Sequence, residues 1–188
     1  MGGLDPSLVS AVLVTHDRVD LTEILASIAD AGIQDIVVWD NEVRENLSCY
    51  GRYAAIAEAR NPFIFHQDDD LIAPIPELLA EYDPVADRDT IVANNRADEE
   101  WLLTAMGTIF HRDLADCFAS YIDRYGFDAD FCRVSDVVFA YQHPYRRVVL
   151  GYRDLPWQTS PNRMYHQPDH YIVRERARAR TLALAATA

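Results

Sequence analysis

Three short apolar runs near the start of the chain each stop abruptly in polar residues, and this alternation constrains the fold more than any other feature. Val9–Thr15 (VSAVLVT) is rich in β-branched residues and runs into His16-Asp17-Arg18. A run without polar alternation reads as a strand covered on both faces. Residues 35–39 (DIVVW) make a second strand ending in Asp40-Asn41-Glu42, and residues 63–65 a third leading into His66-Gln67-Asp68-Asp69-Asp70. Between the first two, residues 20–31 carry Leu21, Ile24, Leu25 and Ile28 at helical spacing. Asp20 suits the start of that helix, with Glu23 three residues on, and Gly32 suits its stop. Residues 50–60 place Tyr53, Ile56 and Ala57 on one side of a second helix, which Pro62 halts. The first seventy residues therefore read β-α-β-α-β, with right-handed crossovers expected. Polar residues close every strand, at the edge where open α/β sheets bind ligands.

The second half is less regular. The sequence predicts a strand over 90–94, an extended stretch over 102–111 containing Gly107, and a helix over 113–125 that opens at Asp113 and stops at Gly126. Ser135 suits the cap of a short helix through Tyr141, and 147–150 a last strand. Residues 155–168 are rich in proline and aromatics and read as an ordered loop, followed by a terminal helix over 169–185 bearing Arg174, Arg176, Arg178 and Arg180. That basic run reads as a solvated helix face. No repeat or linker interrupts the chain. The expectation is one α/β domain over 1–188 with a central, mostly parallel sheet flanked by helices. Residues 9–75 would form its nucleotide-binding part, 90–168 its acceptor and closing part, and 169–188 a C-terminal helix.

A net charge of −13 opposes broad affinity for nucleic acid or anionic membrane, both of which require basic surface. Phosphates would have to be held by a metal, a few placed arginines or helix N-termini. Cys49, Cys117 and Cys132 show no CxxC spacing and cannot all pair, which predicts free thiols and a reducing compartment. Residues 1–10 lack the basic and apolar regions of a signal peptide, and no apolar stretch approaches the roughly 20 residues of a spanning helix. A cytoplasmic protein is the expectation.

Three adjacent aspartates after a buried strand repel one another unless a cation offsets them. Magnesium and manganese prefer carboxylate oxygens and keep positions open for phosphate. The bland alternative is a solvated acidic turn. Residues 50–72, YGRYAAIAEARNPFIFHQDDDLI, resemble the core of the GT-A glycosyltransferases, in which an arginine-bearing helix leads to a strand ending in a DxD motif. VSAVLVTHDR and VVWDNE resemble that family's two nucleotide-contacting turns. The resemblance covers residues 9 to about 75 well and the remainder loosely, and the chain is shorter than most members.

The resemblance implies a nucleotide-sugar donor, UDP being the expected carrier, and a divalent cofactor, Mn2+ or Mg2+. Thr15 and His16 would line the base pocket, and Asp40 would bond base or ribose. Arg52 would lie near base and acidic motif, with Asp68 and Asp69 on the nucleotide and Asp70 on the metal. Without the resemblance, Thr15 and Asp40 serve equally as strand-end caps, and Arg52 as a partner for Glu58. Gly107 and Thr108 resemble the floor beneath the donor sugar, where a small residue permits close approach; Gly107 reads equally as a strand glycine or bulge. Asp136, in SDVV, resembles the acid facing the acceptor hydroxyl, the general base of inverting members; by itself it is a helix-start acid near the positive end of the dipole. His166 resembles the histidine by which a closing loop reaches the metal, with His170 as its rival and Arg163 set to neutralise the departing diphosphate. His143, before Pro144, reads as structural. The acceptor is open, whether glycan, protein, lipid or modified nucleobase, and so is the stereochemical course.

Two rival functions stand beside this one. A nucleotidyltransferase would also use a βαβ sheet and acidic metal ligands. It would carry glycine and lysine after the first strand, and THDRVD has neither. A non-catalytic domain of the same fold would bind nucleotide or sugar without turnover.

Overall fold

The first apolar run forms β1 (Val9–Thr15), and every residue in it is buried. The computed structural model describes residues 3–156 and 166–187. After β1 come α1 (Thr22–Asp30), β2 (Asp35–Asp40), α2 (Gly51–Ala54), β3 (Phe63–His66), β4 (Leu71–Ile72) and α3 (Ile75–Glu81). The second half adds β5 (Ile91–Asn94), β6 (Thr108–His111), α4 (Phe118–Tyr125), α5 (Ala129–Gln142), β7 (Tyr145–Val148), β8 (Arg153–Asp154) and α6 (His170–Ala185). A six-stranded sheet of order β2-β1-β3-β6-β5-β7 forms the centre, and β4 pairs with β8 in a small antiparallel ribbon. Within the large sheet β6 runs against both of its neighbours, and the other pairings are parallel. The fold is α/β with a mostly parallel sheet.

Successive residues of a strand point to opposite faces, and here both faces are covered. Ala11, Leu13, Phe63 and Phe65 join Ile24, Ile28 and Leu78 in one core. Val12 and Ile64 join Phe110, Phe118, Val138 and Phe139 in the other. This double burial explains why the strands read as continuous apolar runs. At the start of α1 the Asp20 carboxylate accepts the Thr22 amide at 2.9 Å. At its end Gly32 takes φ +89° and Ile33 N–H reaches the Ile28 carbonyl at 3.3 Å, a closure that needs the left-handed backbone.

Four elements differ from the periodicity. The helix expected over 50–60 breaks into a 3-10 turn Ser48–Tyr50, the single turn α2, and a second 3-10 turn Ala55–Glu58. Gly51, Arg52, Tyr53, Ala55 and Ile56 are all buried, so packing on several sides shapes the segment more than its own ladder does. A Cβ on Gly51 would stand 2.5 Å from the Trp39 ring, which keeps this turn pressed against β2. The helix expected from Asp113 begins as a 3-10 turn Arg112–Cys117. The short helix expected from Ser135 starts earlier, where Asp128 accepts the Phe131 amide at 2.8 Å, and kinks at Val134 (φ −126°, ψ 19°). Asp136 therefore sits inside α5, just past the kink. The last strand of the large sheet lies two residues earlier than expected. Asn94 pairs with Val148, and the Leu150 amide leaves the ladder for the Asn94 side chain at 3.0 Å.

Candidate functional site

The strand register brings the polar strand ends together. Thr15 ends β1 beside Asp40 at the end of β2, and β3 delivers the three aspartates on the other side of β1. Thr15 donates its hydroxyl to Asp69 Oδ2 at 2.9 Å, and the His16 amide reaches the same oxygen at 3.4 Å. Asp69 is thus fastened to the end of β1. The Asp68 amide donates to Ala105 O at 2.9 Å, and the Gln67 side chain donates to Leu71 O at 2.6 Å while accepting the Ala73 amide at 3.1 Å. Backbone and side chains around the aspartates are held from both ends.

Asp68 pairs with Arg52 Nη2. The guanidinium is nearly enclosed, its side chain 4% exposed, whereas that of Asp68 is 33% exposed. Burial opposes the Arg52 charge, but Asp68 and other neighbouring groups outweigh it and hold the side chain protonated. Glu58, the alternative partner, is taken by Arg44. Behind Arg52 lies a polar cluster that the sequence did not announce, comprising Tyr53, His66 and Thr104, all buried. His66 stands edge-on to the Tyr53 and Phe110 rings, with centroids at 5.9 and 5.4 Å. Its burial, then the Arg52 charge, push its pKa well below the ordinary histidine value, so the imidazole is neutral. The one available signal was its position, in strand register immediately before Gln67.

The remaining residues fall into three groups. Asp40 lies at the same edge, but its Oδ1 accepts the Glu42 amide at 2.8 Å and it makes no bond to the aspartates among the described residues. His16 is exposed, with Nδ1 2.8 Å from Asp17 and Nε2 3.5 Å from Glu42, in a trio whose ligand atoms lie within 4.8 Å of one another. Just before β6, Gly107 has φ +101°, and a Cβ there would meet Ala73 Cβ at 2.7 Å. Fold geometry alone therefore demands glycine. Thr108 pairs with His66 across β3 and β6, its hydroxyl turned to Thr104 O at 2.8 Å. Asp136 is half-buried and in the charge environment of Arg52, Tyr53 and Cys49.

His170 is buried at the start of α6, its pKa lowered by burial and by Arg174. His166 is exposed. Arg163 lies outside the described residues. His143 Nε2 lies 2.9 Å from Leu114 O, a structural contact. No disulfide joins the three cysteines among the described residues. Burial pushes the Cys49 thiol well up, which leaves it inert.

The donor set fits a hard divalent cation. Asp70 lies 6% exposed beside Asp68, whose partial exposure leaves a carboxylate edge toward solvent, and carboxylate oxygens are what Mg2+ and Mn2+ prefer. Asp68 and Asp70 would hold the ion, with phosphate and water completing its shell. The carbonyl of Asp70 accepts the Leu155 amide at 2.8 Å and β8 pairs with β4, so the chain entering the 157–165 segment is stitched to the acidic motif.

No family model and no curated protein matches the chain by sequence. Several solved structures match its fold. A mannosyltransferase from Pyrobaculum calidifontis, solved with GDP-Man and Mn2+, aligns over 100% of this chain and 67% of its own, at 16% identity and TM-score 0.55. TarS residues 1–349 from S. aureus aligns over 93% of this chain and 70% of its own, at 12% identity and TM-score 0.50. The 4-diphosphocytidyl-2C-methyl-D-erythritol synthase of Anaerococcus prevotii covers 93% of this chain and 98% of its own, at 11% identity and TM-score 0.52. At such identities the likeness establishes a shared fold alone.

Proposed function

We propose that the chain is a metal-dependent glycosyltransferase that moves a sugar from a nucleotide diphosphate, UDP being the expected one, to an acceptor hydroxyl. The observation that carries this reading is the fastening of the aspartates at the strand edge, Asp69 to Thr15 and Asp68 to buried Arg52. A solvated turn has no need of a buried guanidinium. Thr15, His16 and Asp40 border the base and ribose at the ends of β1 and β2. Asp68 and Asp70 would hold Mn2+ or Mg2+, which when bound offsets charge on the diphosphate. Arg52 holds the Asp68 carboxylate in place through their ion pair.

Asp136 takes the acceptor side. In an inverting course its carboxylate accepts the hydroxyl proton as the acceptor oxygen bonds to C1. The C1–oxygen bond then breaks and its electron pair leaves with the diphosphate. In a retaining course Asp136 instead orients the sugar. Arg163 and His166, with the segment between Trp157 and His166, would close over the diphosphate and exclude water.

Thermal unfolding against a panel of nucleotide diphosphates, each with and without Mn2+, tests the donor site, because a ligand of the native state raises Tm by mass action. The expected result is a shift for one nucleotide that requires metal and disappears in Asp70→Ala. In the same variant kcat/KM should fall about 10³-fold, the scale on which a group stabilising developing charge acts. A shift indifferent to metal and to Asp70 would leave the aspartates without the assigned role. Donor hydrolysis with Mn2+ separates an enzyme from a binding module.

A further inference from the structure

Beside the donor edge, the loop between β5 and β6 and the start of α6 border an open recess of about 400 Å³. That volume falls within the roughly 300–1,000 Å³ of small-molecule sites. The recess adjoins the edge that carries the aspartates, because the loop on its wall runs on to Ala105, whose carbonyl accepts the Asp68 amide at 2.9 Å. The same loop runs on into Thr104 and Gly107 beneath the site.

The lining carries both signs of charge, and much of it is uncommitted. Asp98 and Glu100 are exposed and enter no ion pair or side-chain hydrogen bond among the described residues. Glu99 is spent on the loop itself, accepting the Trp101 amide at 3.1 Å. Arg174 lies over the Trp101 ring at 4.6 Å, and its Nε and Nη2 have no hydrogen-bond partner among the described residues. Tyr171 is 66% exposed at the rim. An anionic ligand would meet Asp98 and Glu100, and a cationic one would meet Arg174. A neutral polyol avoids both repulsions. Its hydroxyls donate to the carboxylates and accept from the guanidinium, while an apolar ring face packs on Tyr171.

We infer that this recess is the acceptor site and that it takes a neutral, hydroxyl-rich sugar. The inference rests on the glycosyltransferase reading above. The test is saturation-transfer NMR and Tm titration of the whole chain with maltose, glucosamine and glucose 6-phosphate, in the presence of UDP and Mn2+. Maltose should bind, with affinity at least about 10-fold weaker in Tyr171→Ala and in Asp98→Asn/Glu100→Gln, a loss of about 1.4 kcal/mol. The nucleotide-induced Tm shift should survive in these exposed-residue variants, which also reports that they fold. Tighter binding of glucosamine or glucose 6-phosphate, or maltose binding indifferent to the variants, overturns the inference. A metal-dependent nucleotide shift with no sugar bound overturns the recess and leaves the donor site standing. Maltose held by Tyr171 and the carboxylates with no nucleotide shift keeps the sugar site and sinks the donor reading.

Discussion

The two halves of the molecule secure their polar residues by different means. In residues 9–75 the work falls to side chains: Asp69 is tied to Thr15, and Asp68 to a guanidinium buried behind it. In the second half it falls to backbone geometry and the buried amides of Asn94 and Asn95. Asn94 donates to Met106 O at 2.9 Å and Gly151 O at 2.7 Å and accepts from Leu150, drawing two loop segments together. Gly107 turns the chain into β6 with a backbone that other residues resist. The first design stakes stability on paired charge. The second stakes it on conformation, so the two should fail differently.

The largest expected effect follows from the buried charge. Asp68→Asn strands the Arg52 guanidinium and should cost about 3 kcal/mol in denaturant unfolding. The double variant Arg52→Met/Asp68→Asn should recover part of that loss, since it removes the stranded charge as well. A double variant no more stable than Asp68→Asn would show that the pair is not what holds this edge.

On the other side of the comparison, Gly107→Ala should cost about 1–3 kcal/mol, from positive φ and the clash with Ala73. Relief by the further change Ala73→Gly would assign the cost to that contact; no relief would assign it to the backbone. The smallest effect is a matter of pH. Below about 6.5, the ordinary histidine value, the unfolded chain binds a proton that buried His66 refuses, so stability falls as pH falls. His66→Phe should remove up to one proton from that dependence between pH 6.5 and 5, about 1.4 kcal/mol per pH unit. His143 and His170, shifted the same way, keep a residual slope. An unchanged slope in His66→Phe would mean that His66 already protonates in the native state.

Legibility in the sequence followed the range of the contacts. Strand β1 lies where its apolar run predicts, and Gly32 and Gly126 end helices where expected, because burial on both faces and left-handed closure leave local marks. The strand-end polar residues, and the aspartates among them, were legible for the same reason. The break in the 50–60 helix was not. Its cause is Trp39 pressing on Gly51 and burial on several sides, none of which appears in a 3.6-residue period. The β4–β8 ribbon pairs residues more than eighty positions apart, with two residues on each strand, and carries no periodic signal.

The amino-acid sequence by itself determined an α/β chain whose acidic motif closes a buried strand, because hydrophobic period and strand-end polarity are local properties. Tertiary contact decided which partner each aspartate meets. Thr15 claims Asp69, Arg52 claims Asp68, and Asp70 keeps its place where Leu155 returns to the motif. It also inserted β6 between β3 and β5 and brought Asp98, Glu100 and Arg174 around one recess, arrangements that depend on which distant residues exclude water together.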